Sequence, residues 1–138
     1  MPMTTEFHWP VRVYYEDTDA GGVVYHANYL RFMERARTEW LRSLGHEQDV
    51  LRAEGVIFIV RSAALEYIQP ARFNDLLDVS VNIREYRGAS VAIKQTIKNE
   101  KTGETLCEGN IRIACIDAET LRPRPIPKHL FSELSHVG

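Results

Sequence analysis

Asn28-Tyr29-Leu30-Arg31-Phe32-Met33-Glu34-Arg35-Ala36-Arg37-Thr38-Glu39-Trp40-Leu41-Arg42-Ser43-Leu44-Gly45 is the stretch with a sustained helical period. Tyr29, Phe32, Met33, Ala36, Trp40 and Leu44 recur at steps of three and four, the spacing that stacks side chains on one helix face. Leu30, Arg37 and Leu41 occupy the adjacent stripe. So broad an apolar arc belongs to a well-buried helix, not to one resting lightly on a surface. Asn28 suits the N-cap and Gly45 the C-terminal stop. The spacing predicts a helix from Asn28 to about Leu44, long enough to lie across a whole sheet. A shorter helical turn is expected from Glu47 to Ala53, ended by Gly55.

On both sides of this helix the period is two. Before it, Val11, Val13 and Tyr15 alternate with Arg12, Tyr14 and Glu16, which predicts a first strand. After it, the run Val56 to Val60 continues through Ala63, Leu65 and Tyr67 to Pro70. Leu77, Val79, Val81 and Ile83 alternate with Asp78, Ser80, Asn82 and Arg84, the pattern of a half-buried strand. Val91, Ile93 and Ile97 mark another strand, and Cys107, Gly109, Ile111, Ile113 and Cys115 share a face of the last. Asn74-Asp75, Arg87-Gly88 and Asn99 to Gly103 supply the turns. The proline-rich segment Arg122 to Pro127 cannot be a central strand; it reads as an exit, followed by a short helical tail. Strands joined by such short links are antiparallel. One buried helix against an antiparallel sheet is an α+β layer architecture. A single sheet around one helix leaves edges exposed, which argues for at least a dimer.

A chain of 138 residues is read as one domain over 1–138, large enough for a core without disulfide or metal. Its net charge of −2 argues against a nucleic-acid partner. No apolar run reaches membrane-spanning length, and Met1-Pro2-Met3-Thr4-Thr5-Glu6 lacks the features of a signal peptide. A cytoplasmic location follows as the expectation, with Cys107 and Cys115 as reduced, buried thiols.

The segment leading into the helix carries the chemistry. Tyr15-Glu16-Asp17-Thr18-Asp19-Ala20-Gly21-Gly22-Val23-Val24-Tyr25-His26-Ala27-Asn28-Tyr29 holds two carboxylates, two glycines and a histidine. A helix start offers unpaired N–H groups and the positive end of the dipole. A carboxylate beside glycines at such a place suits attack on a carbonyl. Asp17 is assigned a structural role as a loop or cap hydrogen-bonder. A calcium loop is rejected, because Gly21 and Asn28 stand where two of its ligands would be needed. The histidines have no metal-ligand spacing, and there is no G-x-S-x-G elbow. No metal site is expected.

The block from Trp9 to Tyr29, with Glu34-Arg35-Ala36-Arg37-Thr38-Glu39, resembles the hotdog-fold thioesterases of the 4-hydroxybenzoyl-CoA thioesterase class. More narrowly, it looks like their YbgC-type members associated with the Tol-Pal system. Glu66-Tyr67, Pro70-Ala71-Arg72, Arg87-Gly88 and Arg122-Pro123-Arg124 add weaker support. The likeness extends from about Phe7 to Leu134. It implies a hotdog fold, a curled antiparallel sheet wrapped around the central helix, in dimers or tetramers with sites between subunits. It also implies acyl-CoA substrates and the absence of a cofactor, coenzyme A being part of the substrate.

By that resemblance the catalytic aspartate falls on Asp19, and the N–H that polarises the thioester carbonyl falls on His26. Asp19 would act as nucleophile or as general base on water, and the residues do not choose between them. Tyr25 is assigned to the acyl pocket. Arg87, with Gly88 and Ser90 beside it, is assigned to substrate binding, and Arg84 joins it as a candidate for the phosphates of coenzyme A. Acyl carrier protein is a further possible partner, and peripheral contact with the cytoplasmic face of the inner membrane is compatible with the Tol-Pal association. Two rival readings are a non-catalytic acyl-binding scaffold and a hotdog dehydratase. The order of acid and histidine in the loop favours the thioesterase.

Overall fold

The computed structural model describes residues 6–45 and 48–127. In chain order they form β1 (Phe7–Arg12), a 3-10 turn (Tyr15–Asp17), α1 (Asn28–Ser43), α2 (Gln48–Ala53), β2 (Val56–Tyr67), β3 (Leu76–Arg87), β4 (Ser90–Asn99) and β5 (Thr105–Asp117). The five strands make one antiparallel sheet in the order β1-β3-β4-β5-β2, so β1 and β2 are its edges. The sheet curls around α1, as the resemblance implies. The expected helical tail and Glu47 lie outside the described residues.

Alternation along the strands decides which face meets the helix. Leu77, Val79, Val81 and Ile83 of β3, Val91, Ile93 and Ile97 of β4, and Cys107, Ile111, Ile113 and Cys115 of β5 are all buried. Against them α1 presents Tyr29, Phe32, Met33, Ala36, Trp40 and Leu41. Phe32 and Met33 are fully buried; burying an apolar side chain of that size stabilises by roughly 1.5–3 kcal/mol. Gly109 allows the close approach of helix and sheet, since a Cβ there would meet Met33 Sδ and Cε at 2.9 Å. Burial raises the Cys107 thiol to about 12 and also raises that of Cys115, so both remain neutral core groups.

Three expectations change. The first strand begins at Phe7 and stops at Arg12, although the alternation runs on through Val13, Tyr14 and Tyr15. Val13 still exchanges backbone bonds with the turn that precedes β3, Val13 N–H donating to Asp75 O and Asn74 N–H to Val13 O. Beyond it the Asp17 carboxylate accepts Tyr14 N–H at 2.8 Å and turns the chain. Second, the N-cap of α1 is Ala27, without a side-chain cap bond. Asn28 is the first helical residue, and its side-chain amide donates instead to Asp17 Oδ1 at 2.9 Å. Third, Arg37, whose charge beside Glu34 and Glu39 suggests a solvated or subunit-facing polar edge, turns to the sheet instead. It donates to Oε1 of the fully buried Gln95 at 2.7 Å, while Gln95 Nε2 donates to Met33 O and Ser80 O. Burial lowers the Arg37 pKa, and Glu34 opposes that shift. A satisfied polar group in a core face fixes the register of helix on sheet.

Candidate active site

The segment Thr18–Val24 is a tight hairpin. Thr18 and Val24 form an antiparallel bridge, Asp19 N–H donates to Val23 O, and Gly22 N–H donates to Asp19 O. Gly22 takes a φ of +82°, which a side chain would make costly. The hairpin lies against the segment leaving β2: Val23 bridges Arg72, and Val24 N–H donates to Ala71 O at 2.9 Å.

Its two carboxylates have opposite environments. Asp17 is 4% exposed, with both oxygens engaged by Tyr14 N–H and the Asn28 amide. It ties the turn to the first residue of α1, the structural role expected for it. Asp19 is exposed, and its one side-chain hydrogen bond among the described residues comes from Gly21 N–H to Oδ1 at 2.8 Å. One oxygen is therefore held and the other is open to a ligand.

His26 stands at the entry to α1. Tyr25 N–H donates to Asp17 O and Asn28 N–H to Tyr25 O, which fixes the peptide carrying the His26 N–H. None of these bonds consumes that N–H. On the other side of His26, the Tyr67 hydroxyl donates to His26 O at 2.9 Å. The Tyr67 ring meets Tyr29 edge-on at 5.3 Å between centroids, and the Tyr29 hydroxyl accepts Ala71 N–H at 3.0 Å. Burial raises the pKa of both tyrosines, with Ala71 N–H opposing the shift at Tyr29; both remain protonated at neutral pH.

A cleft of about 310 Å³ opens between the two segments. Asp19, Val23, Val24 and His26 line one side, Tyr67, Ile68, Gln69 and Pro70 the other, and Tyr29 also contributes. Asp19 and His26 are thus brought together. Tyr25 is not in the cleft wall; it is 46% exposed and its ring lies 4.4 Å from that of His26.

The remaining candidates sit elsewhere in the protomer. Arg87, Gly88 and Ser90 form the β3–β4 hairpin, where Gly88 has a φ of +57° and Ser90 Oγ donates to Arg87 O. The segment leading to the Asp19 hairpin adjoins the opposite end of β3, through Val13, Asn74 and Asp75. A strand of this length separates them by on the order of 35 Å. The Arg87 side chain is 79% exposed and 3.5 Å from Glu85. Arg84 lies on the sheet surface beside Arg112 and Asn110. Arg124 is occupied by Gly55 O and Asp117. A second cavity of about 270 Å³ lies between α1 (Glu34, Arg37, Trp40, Leu41) and Phe58, Ile59 and Val60 of β2.

The contacts of Tyr67, Tyr29 and Gln95 leave little trace in the sequence. Tyr67 belongs to the weaker block Glu66-Tyr67 of the resemblance, but its period-two position marks only a strand residue. Gln95 fills a core position of β4 and reads as a break in the apolar pattern.

The family profile described as "Thioesterase-like superfamily" matches residues 13–134. The chain is 48% identical over 130 residues to the acyl-CoA thioester hydrolase YbgC of Escherichia coli O157:H7, covering 94% of this chain and 96% of that protein. It is 41% identical over 132 residues to the acyl-CoA thioesterase YbgC of Haemophilus influenzae, covering 95% and 96%. The crystal structure of a probable thioesterase from Bartonella henselae superposes with a TM-score of 0.83 at 35% identity, covering 89% of this chain and all of the other.

Proposed function

Because the chain belongs to the thioesterase-like superfamily, we propose that it hydrolyses acyl-CoA thioesters to the free acid and coenzyme A. The observation that carries this reading is the cleft in which Asp19 keeps an open carboxylate oxygen beside the helix entry at His26. The relatives named for acyl-CoA hydrolysis support it.

A thioester has a good leaving group, so the site needs a base or nucleophile and a partner for the developing oxyanion. Asp19 supplies the first. As nucleophile its open oxygen adds to the carbonyl carbon, the thiolate leaves, and water then hydrolyses the mixed anhydride. As general base it takes a proton from water, which attacks directly. In either case the His26 N–H faces the oxyanion, a contribution typically worth roughly 3–4 kcal/mol of barrier. The reaction asks for no metal or redox cofactor.

We place the complete site between two subunits. β2 is an edge strand with one neighbour, and Ile59 and Val60 on it are 43% and 47% exposed. Antiparallel pairing of two such edges about a two-fold axis sets the Tyr67 end of one strand beside the Phe58 end of its partner. The same rotation carries the partner's second cavity and its Arg87–Ser90 hairpin toward the cleft, because Ser90 pairs with Ala114, which also pairs with Ile59. That arrangement supports Arg87, Gly88 and Ser90 as binding residues for the nucleotide part of the substrate. Within this reading acyl carrier protein is a second thioester donor, and a dimer of dimers remains the favoured assembly. No helix among the described residues is long and apolar enough to cross a membrane.

Release of free thiol from acyl-CoAs running from acetyl to palmitoyl, with benzoyl types, tests the reading, with Asp19→Asn beside the wild type. Turnover that the substitution abolishes supports hydrolysis. Equal negligible rates with acyl-CoA still bound would replace it with the scaffold reading.

A further inference from the structure

We propose that Tyr67 is a positioning residue for thioester hydrolysis, its hydroxyl fixing the backbone at His26 so that the His26 N–H is aimed at the substrate carbonyl. The inference deepens the proposed function and rests on it.

The hydroxyl of Tyr67 donates to His26 O at 2.9 Å across a sequence separation of 41 residues. Both residues line the cleft that holds Asp19. The Tyr25–His26 peptide, which carries the N–H, is fixed on its carbonyl side by Asn28 N–H at 2.8 Å. The next peptide, His26–Ala27, is fixed by Tyr67. Two consecutive peptide planes are thereby anchored around one Cα, and the N–H between them cannot rotate independently. This matters because α1 has no side-chain N-cap. The usual device for orienting a helix entry is missing, and a strand residue takes its place.

The anchor is itself anchored. Tyr67 ends β2, which pairs with β5 without a break from Ser62 to Tyr67, Tyr67 standing opposite Cys107. Its ring packs edge-on against Tyr29, and Tyr29 accepts the Ala71 N–H. Helix holds exit segment, and strand holds helix entry, in reciprocal fashion. A preorganised donor stabilises a developing oxyanion because it need not reorient during reaction. Its loss is felt in the transition state more than in substrate binding.

Tyr67→Phe tests this, since it removes the hydroxyl and keeps the ring on Tyr29. With the fastest acyl-CoA of the acetyl-to-palmitoyl and benzoyl series, kcat is expected to fall about tenfold, less than the ~10²–10³ that loss of the donor itself costs. KM should stay within about twofold, and the melting temperature close to that of the wild type. A second readout is the carbonyl stretch of the same thioester, labelled with ¹³C and bound to Asp19→Asn. Its shift to lower frequency should shrink when Tyr67→Phe is added. An unchanged kcat with full wild-type turnover would overturn the positioning role and leave the hydrolase reading standing. A fall in kcat with a lowered melting temperature and an unchanged carbonyl shift would also overturn it, as the signature of a packing role. A wild type no faster than Asp19→Asn on every ester would remove the hydrolase reading and the positioning role together.

Discussion

The two ends of the sheet are built on opposite principles. At one end, the Thr18–Tyr29 loop is bound to the exit of β2 by Val24 to Ala71, by Ala71 to Tyr29 and by Tyr67 to His26. At the other, the Arg87–Ser90 hairpin carries an arginine 79% exposed whose partner is an ion pair at 3.5 Å with Glu85. The first end is preorganised and aims groups at fixed positions. The second offers an exposed guanidinium, whose planar fork matches a phosphate without a frame of neighbouring bonds to aim it. Bond-making chemistry needs the first kind of end, and recognition of a diffuse polyanion can use the second.

The largest test of that contrast is Asp19→Asn. At this exposed position kcat should fall by about two orders of magnitude or more while the melting temperature barely moves, because the carboxylate packs against little. Steady-state kinetics beside a thermal melt reads both. A melt displaced as far as the rate would mean that the carboxylate holds the loop rather than the chemistry.

Two residues away, Asp17→Ala should do the reverse in kind. It strips two hydrogen bonds from a buried carboxylate and should cost about 2–3 kcal/mol of stability, measured by urea denaturation. Activity should be lost only to the extent that the loop loosens.

At the loose end, Arg87→Ala should raise KM severalfold with kcat unchanged. The effect should fade as salt rises, since an exposed charge contact is screened over about 10 Å at 0.1 M ionic strength. Initial rates in low and high salt check it. A fall in kcat would show that this end also aims groups in the transition state.

The smallest effect concerns neither end but the outer edge of the sheet. His8 on β1 lies 3.0 Å from Asp78 and 2.9 Å from Glu6. Burial lowers its pKa, but hydrogen bonds and charges from Asp78 and Glu6 together raise it above 6.5. The raised folded value means that protonated His8 contributes stability below about pH 6.5 and that this is lost as pH rises through the folded pKa. His8→Gln should flatten the denaturation midpoint across that window by a small margin, as befits a half-exposed pair.

Much of the fold was legible because it rests on periodicity. Tyr29, Phe32, Met33, Ala36 and Trp40 announced a buried helix, and Leu77 to Ile83 a half-buried strand, because each period places a face toward the core whatever the neighbours are. Less of the site was legible. Asp17 was separable from Asp19 in role, but the sequence could not supply the bonds that make the difference. Asn28 reads as a cap from its residue type alone, and the capture of its amide by Asp17 depends on a turn that brings residues 17 and 28 together. Tyr25 is assigned to the acyl pocket by the resemblance, yet within the protomer it does not line the cleft.

By itself, then, the sequence determined the helix, the antiparallel strands and the loop that carries the carboxylate, since these follow from local spacing and from turn residues. Only the tertiary structure decided that Tyr67 meets His26, that Gln95 joins helix to sheet through Arg37, and that Arg87 lies at the far end of the protomer from Asp19. These depend on strand order and register. The sheet order β1-β3-β4-β5-β2 makes β2 an edge beside the loop, and a contact across 41 residues is set by packing of whole elements, which no local period records.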